Sequence, residues 1–220
     1  MPTNVYIDGF NLYYGSLKSR WPGLNLKWLD IGHFCSSLLP GHTINKIRYF
    51  TAGVIPPPYD PQQRIRQDTY IRALNTIRNL DVHLSWFNER PGLRSQFPFA
   101  YQYNNRKRPP QRVLLSLPEE KGSDVNLASY LLFDCFQNQF DEAVVISNDS
   151  DLVVPIKLVV GEFHKTVSVI NPHPKVKRSA VLAGAATWTF QDINKRYFVN
   201  SQFPASMTDA QGTFIKPSSW

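Results

Sequence analysis

Two aspartates two residues apart, Asp149 and Asp151, follow closely on the apolar run Ala143-Val144-Val145-Ile146. A carboxylate is costly to desolvate, so a pair set at the end of a buried segment points to a cation or a substrate proton to hold. Two more acids stand in comparable places. Asp8 closes the short run Asn4-Val5-Tyr6-Ile7, and Asp124 opens a helical pattern over 123–136. Four carboxylates brought into one crevice suit cations ligated by oxygen and water, a known device for phosphodiester hydrolysis. Hard oxygen ligands select Mg²⁺ or Mn²⁺ over zinc. His33, His42, His83, His164 and His173 show no ligand spacing. Plainer roles stay open at each acid. Asp149 or Ser150 can cap a helix, Asp8-Gly9 can be a simple turn, and Asp124 can be a first-turn acid favoured by the helix dipole.

The elements that must gather these acids are strands alternating with helices. Strands are expected at 4–7, 46–53, 82–87, 144–147 and 166–170. Helices are expected at 11–17, 29–38, 61–79, 123–136, 151–163 and 179–186. The run at 143–146 is apolar at consecutive rather than alternate positions, which marks a strand buried on both faces. Strands separated by helices make a mostly parallel sheet with right-handed crossovers, so one three-layer α/β sandwich accounts for about 3–193. Ligands bind such sheets at the carboxyl ends of the strands, where Asp8, Asp149 and Asp151 fall. Residues 187–193 read as a sheet-edge or closing segment. Beyond Tyr197 the chain is polar with scattered aromatics, and 194–220 is expected to be a loosely packed extension.

Hydrophobic residues make up 42% of the 220, which is ordinary for a folded domain. No apolar run approaches the roughly 18 residues that span a bilayer. The start of the chain lacks a basic segment followed by an apolar one, so no secretory signal and no membrane partner are expected. Cys35 and Cys135 sit in apolar surroundings and read as small buried residues in a reducing compartment, which places the chain in the cytoplasm.

The net charge of +7 favours a polyanionic partner. Its distribution is more pointed. Arg90, Arg94, Arg106, Lys107, Arg108 and Arg112 fall in one stretch without an acid, interleaved with Phe97, Phe99, Tyr101 and Tyr103. Cations that neutralise phosphates beside rings that stack on bases suit single-stranded nucleic acid. The alternation of rings also suits a hairpin strand with one aromatic face, with 112–117 pairing back.

Three blocks carry a family resemblance: Tyr6-Ile7-Asp8-Gly9-Phe10-Asn11-Leu12, then Glu120-Lys121-Gly122-Ser123-Asp124-Val125, then Ser147-Asn148-Asp149-Ser150-Asp151-Leu152. Together and in this order they resemble the signature blocks of the NYN domain, in the LabA/DUF88 branch of the PIN-like nuclease superfamily. The resemblance implies a five-stranded parallel sheet ordered 3-2-1-4-5 and metal-dependent cleavage of RNA. It makes Asp8, Asp124 and Asp149 ligands of Mg²⁺ or Mn²⁺, with Asp151 a fourth or water-mediated ligand. Asn11 would bind metal water or a substrate phosphate. Ser147 would orient Asp149 and is counted with Lys121, Arg106, Lys107, Arg108 and Arg112 on the substrate side. The segment 90–117 is a basic aromatic insertion in this scheme.

Asn148 departs from the pattern, since relatives commonly have glycine there; asparagine still tolerates a left-handed backbone. The expected function is an endoribonuclease acting on single-stranded RNA, with DNA and a homodimer left open. The competing expectations are a non-catalytic RNA- or DNA-binding module with a vestigial acidic site, and a small-molecule phosphohydrolase.

Overall fold

The computed structural model describes residues 1–18, 20–95, 112–190 and 193–220. Its centre is strand β1 (Pro2–Asp8), which pairs in parallel with β2 (Thr43–Ala52) on one side and β5 (Glu142–Ile146) on the other. Outward from β2 lies β3 (Leu80–Ser95), and outward from β5 lie β6 (Thr166–Ile170) and β7 (Trp188–Phe190), all parallel. The strand β4 (Arg112–Lys121) runs antiparallel along β3 at the edge. The sheet order is therefore β4-β3-β2-β1-β5-β6-β7. Its inner five strands are the expected five in the expected order, and the two edge strands make it seven. Strand β3 outruns the expected 82–87 because β4 pairs with its second half, from Trp86 opposite Lys121 to Ser95 opposite Arg112.

Alternation along the central strands explains their unbroken apolar runs. Val5, Ile7, Val144 and Ile146 feed one core. Tyr6, Ala143 and Val145 feed the core on the opposite face. Helices cover both faces: α1 (Gly9–Leu12, continued by a π-turn at Tyr13–Leu17), α2 (Ile31–Leu38), α3 (Gln63–Leu74), α4 (Ser123–Phe136), α5 (Val153–Gly161) and α6 (Ala180–Ala185). Cys35 and Cys135 are both buried and free.

Residues beyond Tyr197 are not a loose tail. Helix α7 (Lys195–Asn200) and the hairpin of β8 (Ser206–Asp209) and β9 (Gly212–Ile215) close the first core. Phe198 is fully buried, its ring 4.8 Å from Phe34 and 4.9 Å from Trp21. Phe203 packs on Trp28, and Phe214 lies under Arg72, whose guanidinium forks onto Asp209 at 2.7 and 2.6 Å. Scattered aromatics in a polar stretch carry no periodicity, which is why the packing was not legible there.

On the opposite face a charge is buried outright. Asp134 of α4 is sealed from solvent and accepts two bonds from the Arg48 guanidinium, both at 2.7 Å, and one from the Tyr6 hydroxyl at 2.8 Å. Arg48 also lies over the Tyr130 ring at 4.4 Å.

Candidate active site

Asp8 ends β1 and is nearly fully buried. The next residue has to be glycine. A Cβ on Gly9 would stand 2.7 Å from the Phe50 carbonyl oxygen and 2.8 Å from the Tyr49 ring, closer than side chains approach. Gly9 thus lets α1 start hard against β2, and Asp8 caps that helix by accepting from the Asn11 backbone N–H at 2.9 Å. The Asn11 side-chain amide donates to the other oxygen of Asp8 at 2.5 Å, and the Ser147 hydroxyl donates to it at 3.0 Å. Burial nevertheless pushes the Asp8 carboxyl above its ordinary range, opposed by these donors and reinforced by Asp149.

The end of β5 is tied to the same carboxylate. The Ser147 oxygen accepts from the Asp149 backbone N–H at 3.0 Å, and Asp149 accepts from the Asp151 N–H at 2.9 Å. Asn11 bridges the two strand ends, since its side-chain oxygen accepts from the Asn148 N–H at 3.3 Å. That oxygen also faces His173 Nε2 at 3.1 Å, which assigns the imidazole proton to Nε2. Burial, then Lys177 and Arg20, hold the His173 pKa below its usual value, so the ring is neutral near pH 7.

Asp124 enters from a third segment. Gly122 turns left-handed at φ 99° between β4 and α4, and Glu120 receives the Ser123 N–H at 2.9 Å. Asp124 then sits in the first turn of α4, half-buried. Burial first, then the charges of Asp8, Asp149, Glu120 and Asp151, raise its pKa to about 7. Asp8, Asn11, Glu120, Asp124 and Asp149 line one cleft of about 360 Å³, and Phe10, Tyr14 and Phe87 wall it.

A raised carboxyl pKa destabilises the fold wherever the unfolded chain would ionise first. For Asp124 that cost is absent below pH 3.8, grows as pH rises, and is complete above about pH 7. In metal-free protein, Asp124→Asn should therefore raise Tm more at pH 8 than at pH 5. Thermal melts at the two pH values measure this, and an equal shift at both would remove the electrostatic strain.

Asp8, Asp124 and Asp149 thus meet at one cleft, with Asn11 among them. Asp151 does not line the cleft; it is exposed and acts there only as added negative charge. Ser147 is fully buried and supports Asp8 and Asp149 from below, so it does not face substrate. Lys121 is exposed at the end of β4. Arg112 starts that ten-residue strand, about 30 Å from Lys121 at roughly 3.4 Å per residue. It is remote from the acids. Arg106, Lys107 and Arg108 lie outside the described residues. Among the described residues, no group of three or more His, Cys, Asp or Glu side chains is drawn together closely enough to hold a metal ion as they stand.

Three features were not read from the sequence. Glu120 stands four residues ahead of Asp124, at the end of β4, a strand whose expected arm stopped at 117. His173 reaches Asn11 across 162 residues, with no local signal. Asn148 is not left-handed: among the described residues only Asn138 and His164 are non-glycine residues with positive φ. Its side chain instead donates to the Lys177 carbonyl at 2.8 Å and accepts from the Ser179 N–H at 2.7 Å. Glycine could make neither bond.

An acid-lined cleft at the carboxyl edge of a parallel sheet with this order defines the PIN-like class of α/β domain. Within it the chain belongs to the NYN domain family, whose model matches residues 2–194 and whose members are generally nucleases. The chain is 28% identical over 238 residues to the 6-hydroxy-3-succinoylpyridine 3-monooxygenase HspA of Pseudomonas putida (strain DSM 28022 / S16), across 99% of this chain and 75% of that protein. It is similar in fold to a solved protein of unknown function from Vibrio parahaemolyticus RIMD 2210633. The TM-score is 0.50 at 15% identity, over 86% of this chain and 90% of that one.

Proposed function

We propose that the chain is a metal-dependent endoribonuclease that hydrolyses phosphodiester bonds of single-stranded RNA at the acid cleft. The observation that carries this reading is the meeting of Asp8, Asp124 and Asp149, from three separate segments, in one cleft where burial and then the neighbouring charges lift the Asp124 pKa to about 7. Family membership supports it. The donor set is all oxygen, which fits Mg²⁺ or Mn²⁺. Asp8, Asp124 and Asp149 would hold the ion once their side chains turn toward it, with Glu120 in reach of the same cleft. A bound cation supplies neutralisation of phosphate charge and a more acidic water.

The chain's own residues do the rest. Asn11 fixes the Asp8 carboxylate, Ser147 locks Asp8 to the Asp149 backbone, and neutral His173 holds the Asn11 amide in one orientation. Asp124 must shed its proton before a cation can bind, so metal affinity rises with pH through about 7.

The test is cleavage of end-labelled single-stranded RNA with Mg²⁺, with Mn²⁺, and with a chelator, beside a DNA strand of the same sequence. Metal-dependent fragments from RNA are the expected result. Tight binding without fragments would leave a nucleic-acid-binding module, and phosphate released only from mononucleotides would make the cleft a phosphohydrolase. A second reading rests on the 28% identity to HspA across nearly the whole chain: oxygenation of a hydroxylated pyridine. Oxygen uptake with 6-hydroxy-3-succinoylpyridine and a two-electron donor would separate it from the nuclease.

A further inference from the structure

Beside the acid cleft lies a smaller, more enclosed cavity of about 150 Å³. Phe10 and Tyr14 line both spaces, so the two are neighbours through one aromatic wall. Their rings lie 6.4 Å apart and nearly parallel, at 20°. Tyr13, Tyr49, Tyr70 and Trp220 add four more rings around the smaller space. Its volume equals the liquid share of roughly five waters, which suits one planar ring system and not a peptide or a duplex.

The charges at this cavity point the same way. Arg66 is held by Asp60, whereas among the described residues no carboxylate comes within ion-pair range of Lys27. Lys27 is half-buried, and burial together with Arg66 and Lys18 lowers its pKa, opposed in part by Asp60. Lys27 and Arg66 face Asp60 as the one carboxylate side chain among the described lining residues, so the cavity keeps an excess positive charge that favours an anion.

We propose that this cavity seats one nucleobase of the RNA strand, with Lys27 taking an adjacent phosphate, so that the bond presented to the acids is chosen partly by the base beside it. The inference rests on the nuclease reading and deepens it. Rings on the walls give stacking, which every base can use. The shared wall of Phe10 and Tyr14 sets the base within a nucleotide or so of the acids. An enclosed cavity discriminates among the bases by ring size.

Calorimetric titration with uridine 5′-phosphate, adenosine 5′-phosphate, ribose 5-phosphate and nicotinate, in the presence of chelator, tests this without catalysis. The nucleotides should bind and ribose 5-phosphate should not. Lys27→Gln, which removes the charge, and Tyr13→Leu, which removes a stacking ring, should each weaken nucleotide binding about tenfold. In RNA cleavage Lys27→Gln should raise KM with little change in kcat, and Tyr13→Leu should flatten the preference among flanking bases. Ribose 5-phosphate binding as well as the nucleotides, nicotinate binding alone, no binding at all, or variants equal to wild type would each overturn the cavity assignment. RNA cleaved without nucleotide binding would sink the cavity and keep the nuclease. Nucleotide binding through Lys27 and Tyr13 without RNA cleavage would do the reverse.

Discussion

Asp149→Asn should reduce metal-dependent RNA cleavage by about a thousandfold while leaving the fold in place. Asparagine keeps the shape of the side chain and removes its charge. Asp149 Oδ1 accepts the Asp151 N–H at 2.9 Å and so caps the turn at Ser150–Leu152. An asparagine oxygen accepts the same bond, so the cap survives. What is lost is a negative charge at the cleft that also holds Asp8 and Asp124. A cation's stabilisation of the reacting phosphate is worth several kcal/mol, and each 1.36 kcal/mol is a factor of ten in rate. The variant should also need more Mn²⁺ for half-maximal activity. Because one source of repulsion is gone, the Asp124 pKa should fall. Cleavage rates across a metal titration check both statements, and wild-type rates in Asp149→Asn would exclude this carboxylate from the chemistry.

Asp134→Ala should cost about 3–5 kcal/mol of stability, and its effect on cleavage below the melting transition should be small. The Arg48 guanidinium would remain inside with its main partner deleted, and an uncompensated buried charge is far worse than no charge. The Tyr6 hydroxyl would lose its acceptor in the same place. Arg48 keeps only Asp81, 3.3 Å from one nitrogen and half-exposed, as an ion partner. Urea unfolding measures the loss directly. For a chain of this size it corresponds to a Tm lower by about 10 °C. The double change Arg48→Met with Asp134→Ala should recover much of the loss, because it removes both charges together. If the single variant is no less stable than wild type, Asp134 is not holding that face together.

The centre of the fold was legible because parallel strands buried on both faces must be apolar at every position. Ala143 to Ile146 meets that condition, as does Val5 to Ile7. The acids were legible because Asp8, Asp124 and Asp149 each fall in one of three ordered blocks that resemble a family signature; their places alone would also suit caps and turns. What escaped depended on distance along the chain. The pairing of Asp134 with Arg48 joins residues 86 apart, so the charge that interrupts the apolar run at 131–136 had no visible partner in the sequence. His173 meets Asn11 only because β6 delivers it beside β5. Phe198, Phe203 and Phe214 follow no period, so their burial emerges only once Trp28 and Phe34 are seen beneath them.

That last arrangement bears on how the chain comes to be folded during synthesis. β1 needs β5 for its second neighbour, and the core beneath it is filled in part by Phe198 and Phe214. Contacts of such long sequence separation close late, because loop-closure entropy must be met before they return anything. A nascent chain still lacking α7 and the β8–β9 hairpin would expose Trp28, Phe34 and Tyr70 to its surroundings. Chaperone contact and aggregation should therefore be greatest before the β8–β9 hairpin has docked, and substitutions that loosen its docking, such as Phe214→Ser, should lower soluble yield.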